Sequence, residues 1–367
     1  MRRQVFCAIM AGGKGTRFWP LSRSERPKQL LRIFGSKTLI RETLDRALSL
    51  AGLKHTVVVT VAQQISALRK ELPMLPPENF LVEPEGRNTA PCIGLAALEL
   101  ASRDPDALMV VLPADHWIAG APSFRRTIRA ALRVADRSEK LVTIGIAPDY
   151  PETGYGYIVR GTRLDGNTSL PAFRVSRFKE KPSKPEAERL LRRGALWNSG
   201  IFVWRLPVFL KLLEQYQPEL FAGLKKISGG RGLAASKRAR DLFAREYGKL
   251  PNISVDHAVL EKAGSDGKVL TLEGRFVWSD IGSWAAVHRI AGKDARGNSG
   301  QGKWLGFEAR NCLIHARDRL VVLLGTENLV VVDSGDALLV GSLERSQEVR
   351  DLVEALKERG YGAYTVR

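Results

Sequence analysis

Between residues 5 and 146, short runs that are apolar at nearly every position alternate with longer stretches in which apolar residues return at helical intervals. The runs at 5–11, 56–62, 80–82, 108–112 and 141–146 lack the in–out alternation of a half-exposed strand, so they predict strands buried on both faces. Leu39, Ile40, Leu44 and Leu48 mark a helix over 38–51. Further helices are predicted at 63–72, stopped by Pro73, at 90–102 with Asn88 or Thr89 as cap, and at 123–137. Strands and helices in alternation predict an α/β fold, a mostly parallel mixed sheet with helices on both faces.

Beyond residue 146 the pattern loosens. Strands are predicted at 155–159, 173–179 and 197–204, a helix at 185–193, helical segments to about 262 and a last strand at 275–278. The polar, glycine-rich stretch 292–302 reads as a linker, dividing the chain into residues 1–290 and a tail of residues 291–367. In the tail, β runs at 312–315, 320–324, 329–332 and 337–340 are separated by turns. An amphipathic helix over 346–359 and a terminal strand are predicted to follow.

With 57 Lys and Arg against 39 Asp and Glu, the formal net charge is +18. Phosphorylated ligands would explain a local share of that excess, and a generally basic surface the rest. Nucleic acid is not expected as a principal partner, because the basic residues are scattered along the chain and no nucleic-acid module is evident. Cys7, Cys92 and Cys312 are odd in number, far apart and without metal spacing, which predicts a reducing compartment. Arg2-Arg3 precedes an apolar run too short for a signal peptide, and that run leads into glycines rather than a cleavage site. With no apolar stretch long enough to span a bilayer, the expected location is cytoplasmic, away from membranes.

The densest chemical signal is the break after the first strand, Gly12-Gly13-Lys14-Gly15-Thr16-Arg17. Glycines so close together pack little in a core, but they let backbone N–H groups approach a large anion and surround it. Arg17 and Lys28 add a forked and a point positive charge, so the predicted ligand is a polyphosphate. Better-known phosphate loops do not fit. Phe18 stands where the dinucleotide fingerprint needs a glycine, Gly15 where the Walker loop needs Ser or Thr, and no Val-Ala-Ile-Lys strand follows. The bland alternative is a glycine-rich turn with incidental basic residues.

Gly-Gly-x-Gly-Thr-Arg-x-x-Pro-Leu-Ser with a downstream Pro27-Lys28-Gln29 resembles the sugar nucleotidyltransferase family. Further motifs stand in family order: Glu83 to Pro91, Pro113-Ala114-Asp115-His116, Phe178-Lys179-Glu180-Lys181-Pro182, Trp197-Asn198-Ser199-Gly200, Val255-Asp256-His257 and Trp278-Ser279-Asp280 through Trp284. On residue chemistry alone, Asp115 lies where open α/β sheets hold their ligands, or is a helix cap. Asp115 and Asp280 with nucleotide phosphates would form a hard-oxygen site for Mg²⁺. Glu180 and Lys181 are either a working acid–base pair or a solvated charge run. Asn198 offers a donor and an acceptor suited to a sugar diol. The glycines around Tyr155 and Tyr157 would admit a sugar to the backbone, with the tyrosines either core or wall or ligand contacts. The histidines lack metal spacing and read as structural.

The resemblance implies a Rossmann-like nucleotide-diphospho-sugar transferase fold, with a tail similar to the one-turn left-handed β-helix of bacterial members. It places Ala11, Gly12, Gly13, Gly15, Thr16, Glu85, Arg87, Asn88, Thr89 and Asp115 on the nucleotide. Gly156, Glu180, Lys181 and Asn198 fall on the sugar phosphate, Asp115 and Asp280 on Mg²⁺, and Arg17, Lys28 and Lys181 act by holding charge. Within the family the match is nearest to members using GTP and mannose 1-phosphate. The expected reaction is GMP transfer to α-D-mannose 1-phosphate, giving GDP-mannose and pyrophosphate. Another hexose or base is the rival inside the class; a nucleic-acid-binding or regulatory protein on the same fold is the rival outside it. The tail is the expected contact for a homodimer. Some relatives carry a fused phosphomannose isomerase domain after the tail; ending at Arg367, the chain is expected to have a single activity.

Overall fold

A computed structural model describes residues 3–13, 15–164, 170–227 and 237–366 of the chain, and Lys14 of the glycine turn lies outside them. The apolar runs form β1 (Val5–Met10), β2 (Thr56–Val61), β3 (Phe80–Glu83) and β4 (Leu108–Pro113), which pair in parallel in the order β3-β2-β1-β4. Alternate residues of β1 enter opposite cores. Cys7 and Ile9 pack with helices α1 (Leu39–Leu48), α2 (Ile65–Glu71) and α4 (Ala121–Arg137); Phe6 and Ala8 pack with α3 (Thr89–Arg103) and the helices at Leu206–Tyr216 and Pro218–Ile227. Burial on both faces is what removed the polar–apolar alternation from these strands.

The sheet continues through β6 (Leu141–Ile146), β7 (Tyr157–Arg163), β8 (Ala172–Lys179), β9 (Leu196–Arg205) and β10 (Val269–Glu273). Its nine strands run β3-β2-β1-β4-β9-β6-β10-β8-β7, with β8 and β9 directed against the rest. A further pairing of β7 with β9 closes the last five strands on themselves. A small ribbon of β5 (Trp117–Ala119) and β11 (Val277–Ser279) sits beside the main sheet.

Several expectations needed correction here. β10 and β5 were not foreseen. β10 is a five-residue strand that follows a long helical stretch directly, while the strand expected at 275–278 belongs to the ribbon rather than the main sheet. The stretch 292–302 is not all linker: β12 (Ser299–Gln301) already pairs in the tail, between left-handed turns at Gly297 and Gly302. The terminal strand is instead a 3-10 turn, Gly362–Thr365, whose neighbouring carbonyls at Thr365 and Val366 accept the N–H groups of Ser24 and Glu25. Sideways pairing with a loop satisfies that backbone, leaving no need for a sheet edge.

The tail stacks β12, β14 (Leu313–His315) and β16 (Leu329–Asp333) in parallel, with β13 (Trp304–Phe307) parallel to β15 (Val321–Leu324) and β17 (Leu338–Ser342) antiparallel at the end. This is a β-helix-like unit. Cys312, Ile314 and Val331 fill its interior, while Leu313, Val330 and Val332 pack against Phe18, Trp19, Leu31 and Trp284 of the larger part. Among the described residues, no helix is long and apolar enough to cross a membrane.

Candidate active site

The glycine turn leaves the carboxyl end of β1, and a network of amides holds its shape. Gln29 donates to the Ala11 carbonyl at 3.0 Å and to Gln64 at 2.8 Å; Gln64 donates to the Gly13 carbonyl at 3.1 Å. Gly15 adopts φ +63°, and a Cβ there would stand 2.3 Å from Cβ of Lys28. Only glycine permits both the left-handed backbone and the contact. Gly12 lies over the carboxylate of Glu83, which accepts from the Tyr247 hydroxyl. Burial pushes Glu83 up to about 7, against the pull of that hydrogen bond. Gly13 and Arg17 are exposed at the turn, and Thr16 begins the 3-10 turn Thr16–Phe18.

Asp115 follows the carboxyl end of β4, and the ribbon brings Asp280 to it. Pairing of Ser279 with Trp117 sets the residues after β11 beside those before β5. One ammonium then joins the two: Lys28 Nζ donates to Asp115 Oδ2 at 3.0 Å and to the carbonyl of Asp280. Lys28 is buried, with its ammonium 5.6 Å from the Phe18 ring. Desolvation alone would raise the Asp115 carboxyl, but Lys28 and His116 outweigh it and hold Asp115 below the ordinary carboxylate range. Burial pushes His116 down to about 4. The ring is therefore neutral, consistent with Nδ1 accepting from Trp278 Nε1 at 3.2 Å. The Asp280 side chain accepts from the Tyr155 hydroxyl at 2.6 Å, and burial together with Asp280 raises Tyr155, keeping the proton in place.

Closure of β7 onto β9 assembles a third cluster. Asn198 N–H donates to the Gly156 carbonyl at 2.8 Å, and a Cβ on Gly156 would stand 2.5 Å from Glu180 Oε2. The Asn198 carbonyl oxygen accepts from Thr143 at 3.2 Å and from Gly200 N–H at 3.3 Å, while its amide donates to Asp256 at 2.7 Å. Three of its polar positions thus serve the protein, leaving one N–H for a ligand. Burial, then the charge of Glu180, pushes Asp256 up to about 6. Lys181 takes φ +43° and pairs with Glu180 at 3.1 Å, its side chain 67% exposed. Lys179 pairs with Glu186 at 3.4 Å, away from the cluster.

Two sets of expected residues therefore converge: Lys28, Asp115 and Asp280, and separately Gly156, Glu180, Lys181 and Asn198. The segment at 85–89 is tied elsewhere. Glu85 pairs with Arg87 at 2.6 Å, Arg87 donates to the Leu250 carbonyl at 3.1 Å, and Thr89 accepts from Val255 N–H at 2.8 Å. Asn88, with φ 66°, is the helix cap, its side chain accepting from Thr89 N–H at 2.9 Å. Among the described residues, no ion pair or hydrogen bond joins Arg17 or Lys181 to the two aspartates. Gln64, Glu83 and Asp256 are participants to which sequence reasoning gave no role, and Tyr155 serves as a donor to Asp280. Gln64 looks like any polar helix start, whereas Glu83 and Asp256 stood inside quoted motifs.

Among the described residues, no group of three or more His, Cys, Asp or Glu side chains is placed to hold a metal alone. Asp115 and Asp280, drawn together by Lys28, are oxygen donors of the kind a hard divalent cation takes.

A glycine turn at a strand end, with two aspartates drawn together by one lysine, is an arrangement suited to handling a nucleotide. The model of the nucleotidyl transferase family matches residues 7–297, so the chain belongs to that family. A MannoseP isomerase/GMP-like beta-helix domain matches residues 302–356. The mannose-1-phosphate guanylyltransferase of Klebsiella pneumoniae is 40% identical over 97% of this chain and 74% of its own length. An Escherichia coli protein of the same name is 40% identical over 95% of this chain and 73% of its own. A crystal structure described as a mannose-1-phosphate geranyltransferase from Thermus thermophilus superposes with a TM-score of 0.86 at 32% identity, covering 96% of this chain and 99% of that one.

Proposed function

We propose that the chain transfers GMP from GTP to α-D-mannose 1-phosphate, giving GDP-mannose and pyrophosphate. The observation that carries the reading is the convergence of Lys28, Asp115 and Asp280 beneath the Gly15 turn. Relatives bearing that activity in their names match nearly the whole chain. The nucleophile needs no base, since a phosphate monoester with its second pKa near roughly 6 is already an anion at neutral pH. Its oxygen forms a bond to the α-phosphorus as the bond from that phosphorus to the β-phosphate oxygen breaks, and pyrophosphate leaves. Catalysis is then positioning and charge neutralisation.

In this reading backbone N–H groups of residues 11–16 receive the triphosphate, Arg17 and Lys28 hold the departing phosphates, and Glu85 to Thr89 lie along the base. Glu180 and Asn198, with the Gly156 backbone, orient the sugar. Lys181, at the surface and paired with Glu180, brings its phosphate in line. Asp115 and Asp280 would hold Mg²⁺, which when bound supplies positive charge to the reacting phosphates. Three unpaired, buried cysteines support a reducing, cytoplasmic setting. The division near residue 290 and a homodimer through the tail belong to the same reading.

Incubation with Mg²⁺, each nucleoside triphosphate and each hexose 1-phosphate tests it. Pyrophosphate release is expected with GTP and mannose 1-phosphate; release with UTP or dTTP alone would reject the guanine assignment.

A further inference from the structure

A cavity of about 550 Å³ lies where residues 20–32 meet the tail, lined by Arg23, Arg26, Arg32, Arg317, His315 and Asp336 among others. Its size falls in the range of small-ligand sites. Neither Lys28, Asp115 nor Asp280 lines it. Four arginines face one lining carboxylate, and that carboxylate is spent. Asp336 receives Arg23 Nη2 at 3.1 Å on each oxygen, and Ser334 takes the same nitrogen at 3.3 Å. Arg23, buried and set over Trp19 at 5.7 Å, is thereby structural.

Three acids in the neighbourhood, Asp318, Asp333 and Glu71, have partners of their own. Asp318 pairs with Arg317 at 3.2 Å, Asp333 with Arg319 at 2.9 Å, and Glu71, which accepts from Thr38 at 2.8 Å, acts on Arg26 only through space. Although Arg26 reaches solvent, crowding holds its guanidinium below the ordinary value, desolvation first and then Arg317 and Arg32. His315 adds no further positive charge, since burial pushes it down to about 4. Like charges gathered around a cavity raise the local concentration of anions. Pro20, Leu21 and Leu31 supply an apolar floor.

We propose that this cavity is a second binding site, distinct from the candidate active site, for a diphosphate group, free as pyrophosphate or carried by a nucleoside diphosphate. Arg26, Arg32 and Arg317 are the groups that receive it, with the fork geometry that suits phosphate oxygens. The cavity wall is also the segment that carries Lys28.

Calorimetric titration of the full chain with inorganic pyrophosphate, and separately with GDP, tests the proposal. The wild type should show two classes of pyrophosphate site. Arg26→Ala/Arg317→Ala should weaken one class by at least about a hundredfold, the loss expected from two charged hydrogen bonds. Arg17→Ala should leave that class unchanged. This separates the proposal from the catalytic reading, on which it does not depend. GDP should compete with pyrophosphate for the same class; GDP binding there without competition from pyrophosphate would overturn the diphosphate assignment. Indistinguishable titrations of the double variant and the wild type would overturn the site. Hydrogen exchange on the unaltered chain gives an independent reading, because pyrophosphate should slow exchange of amides at 315–319, and unchanged exchange there counts against the site.

Discussion

Lys28 is a buried ammonium set between an aspartate side chain and the carbonyl of a second aspartate. Removing it strips positive charge from the point where the departing phosphates are proposed to lie and leaves Asp115 without its partner. Lys28→Ala should lower kcat in the pyrophosphate-release assay by about 10²–10³-fold, the size of effect typical of one preorganised charge. Lys28→Arg should not restore it, because a planar fork does not reproduce a compact ammonium held between the Asp115 carboxylate and the Asp280 carbonyl. Full activity in either variant would remove Lys28 from the machinery. Glu83 gives a pH signature. Its folded value of about 7 lies above the unfolded 4.5, so the proton is bound more tightly in the folded chain. The associated stability is complete below pH about 4.5 and is lost as pH rises through 7. Glu83→Gln keeps the acceptor for Tyr247 and abolishes the titration. Relative to wild type it should gain ~2–3 kcal/mol by pH 8 and nothing near pH 4. Urea unfolding at both pH values measures it, and a pH-independent difference would show that Glu83 is not held near 7.

At the scale of elements, the site depends on two pairings, the β5·β11 ribbon that sets Asp280 beside Asp115 and the closure of β7 onto β9. Gly156 stands at the second of these. Gly156→Ala would displace the Glu180 carboxylate, whose Oε2 lies 2.5 Å from the new Cβ, while Asn198 at 3.5 Å stays in ordinary contact. The KM for the sugar phosphate should rise about tenfold or more, the value of one charged hydrogen bond, while that for the nucleotide stays close to wild type. Equal rises in both would mean a general loosening. These pairings also mark where the sequence stopped being legible. β1 to β4 and β6 announce themselves, because burial on both faces gives unbroken apolar runs bounded by glycine and proline. The motif residues were legible by type and spacing. Their neighbours were not: β5 and β11 are three-residue strands, and the Tyr155–Asp280 contact joins residues 125 apart. β12 hid in the glycine-rich stretch and β13 just beyond it, since a coil strand of three or four residues carries too few positions to show a period.

Across the whole molecule, the tail both braces the phosphate turn and presents a surface of its own. Trp19 Nε1 donates to the Tyr364 carbonyl at 2.9 Å and Trp284 Nε1 to the Trp19 carbonyl at 3.3 Å, so the chain end is fastened to the segment between Arg17 and Lys28. On the opposite, outward side, β13 and β15 pair Leu305 with Val322 and Phe307 with Leu324. These four are 48%, 50%, 54% and 74% exposed respectively, an apolar face on a molecule otherwise rich in charge. Such a patch is costly in water and suits a partner of like character, and a second copy of the same face satisfies that requirement by two-fold symmetry. Light scattering on the eluting protein should therefore give the mass of a dimer. Val322→Lys/Leu324→Lys puts two like charges at the centre of the face and should convert it to a monomer. Because both side chains already face solvent in one chain, monomer stability should change by no more than about 0.5 kcal/mol. A monomeric wild type, or a dimer untouched by both lysines, would place the contact elsewhere.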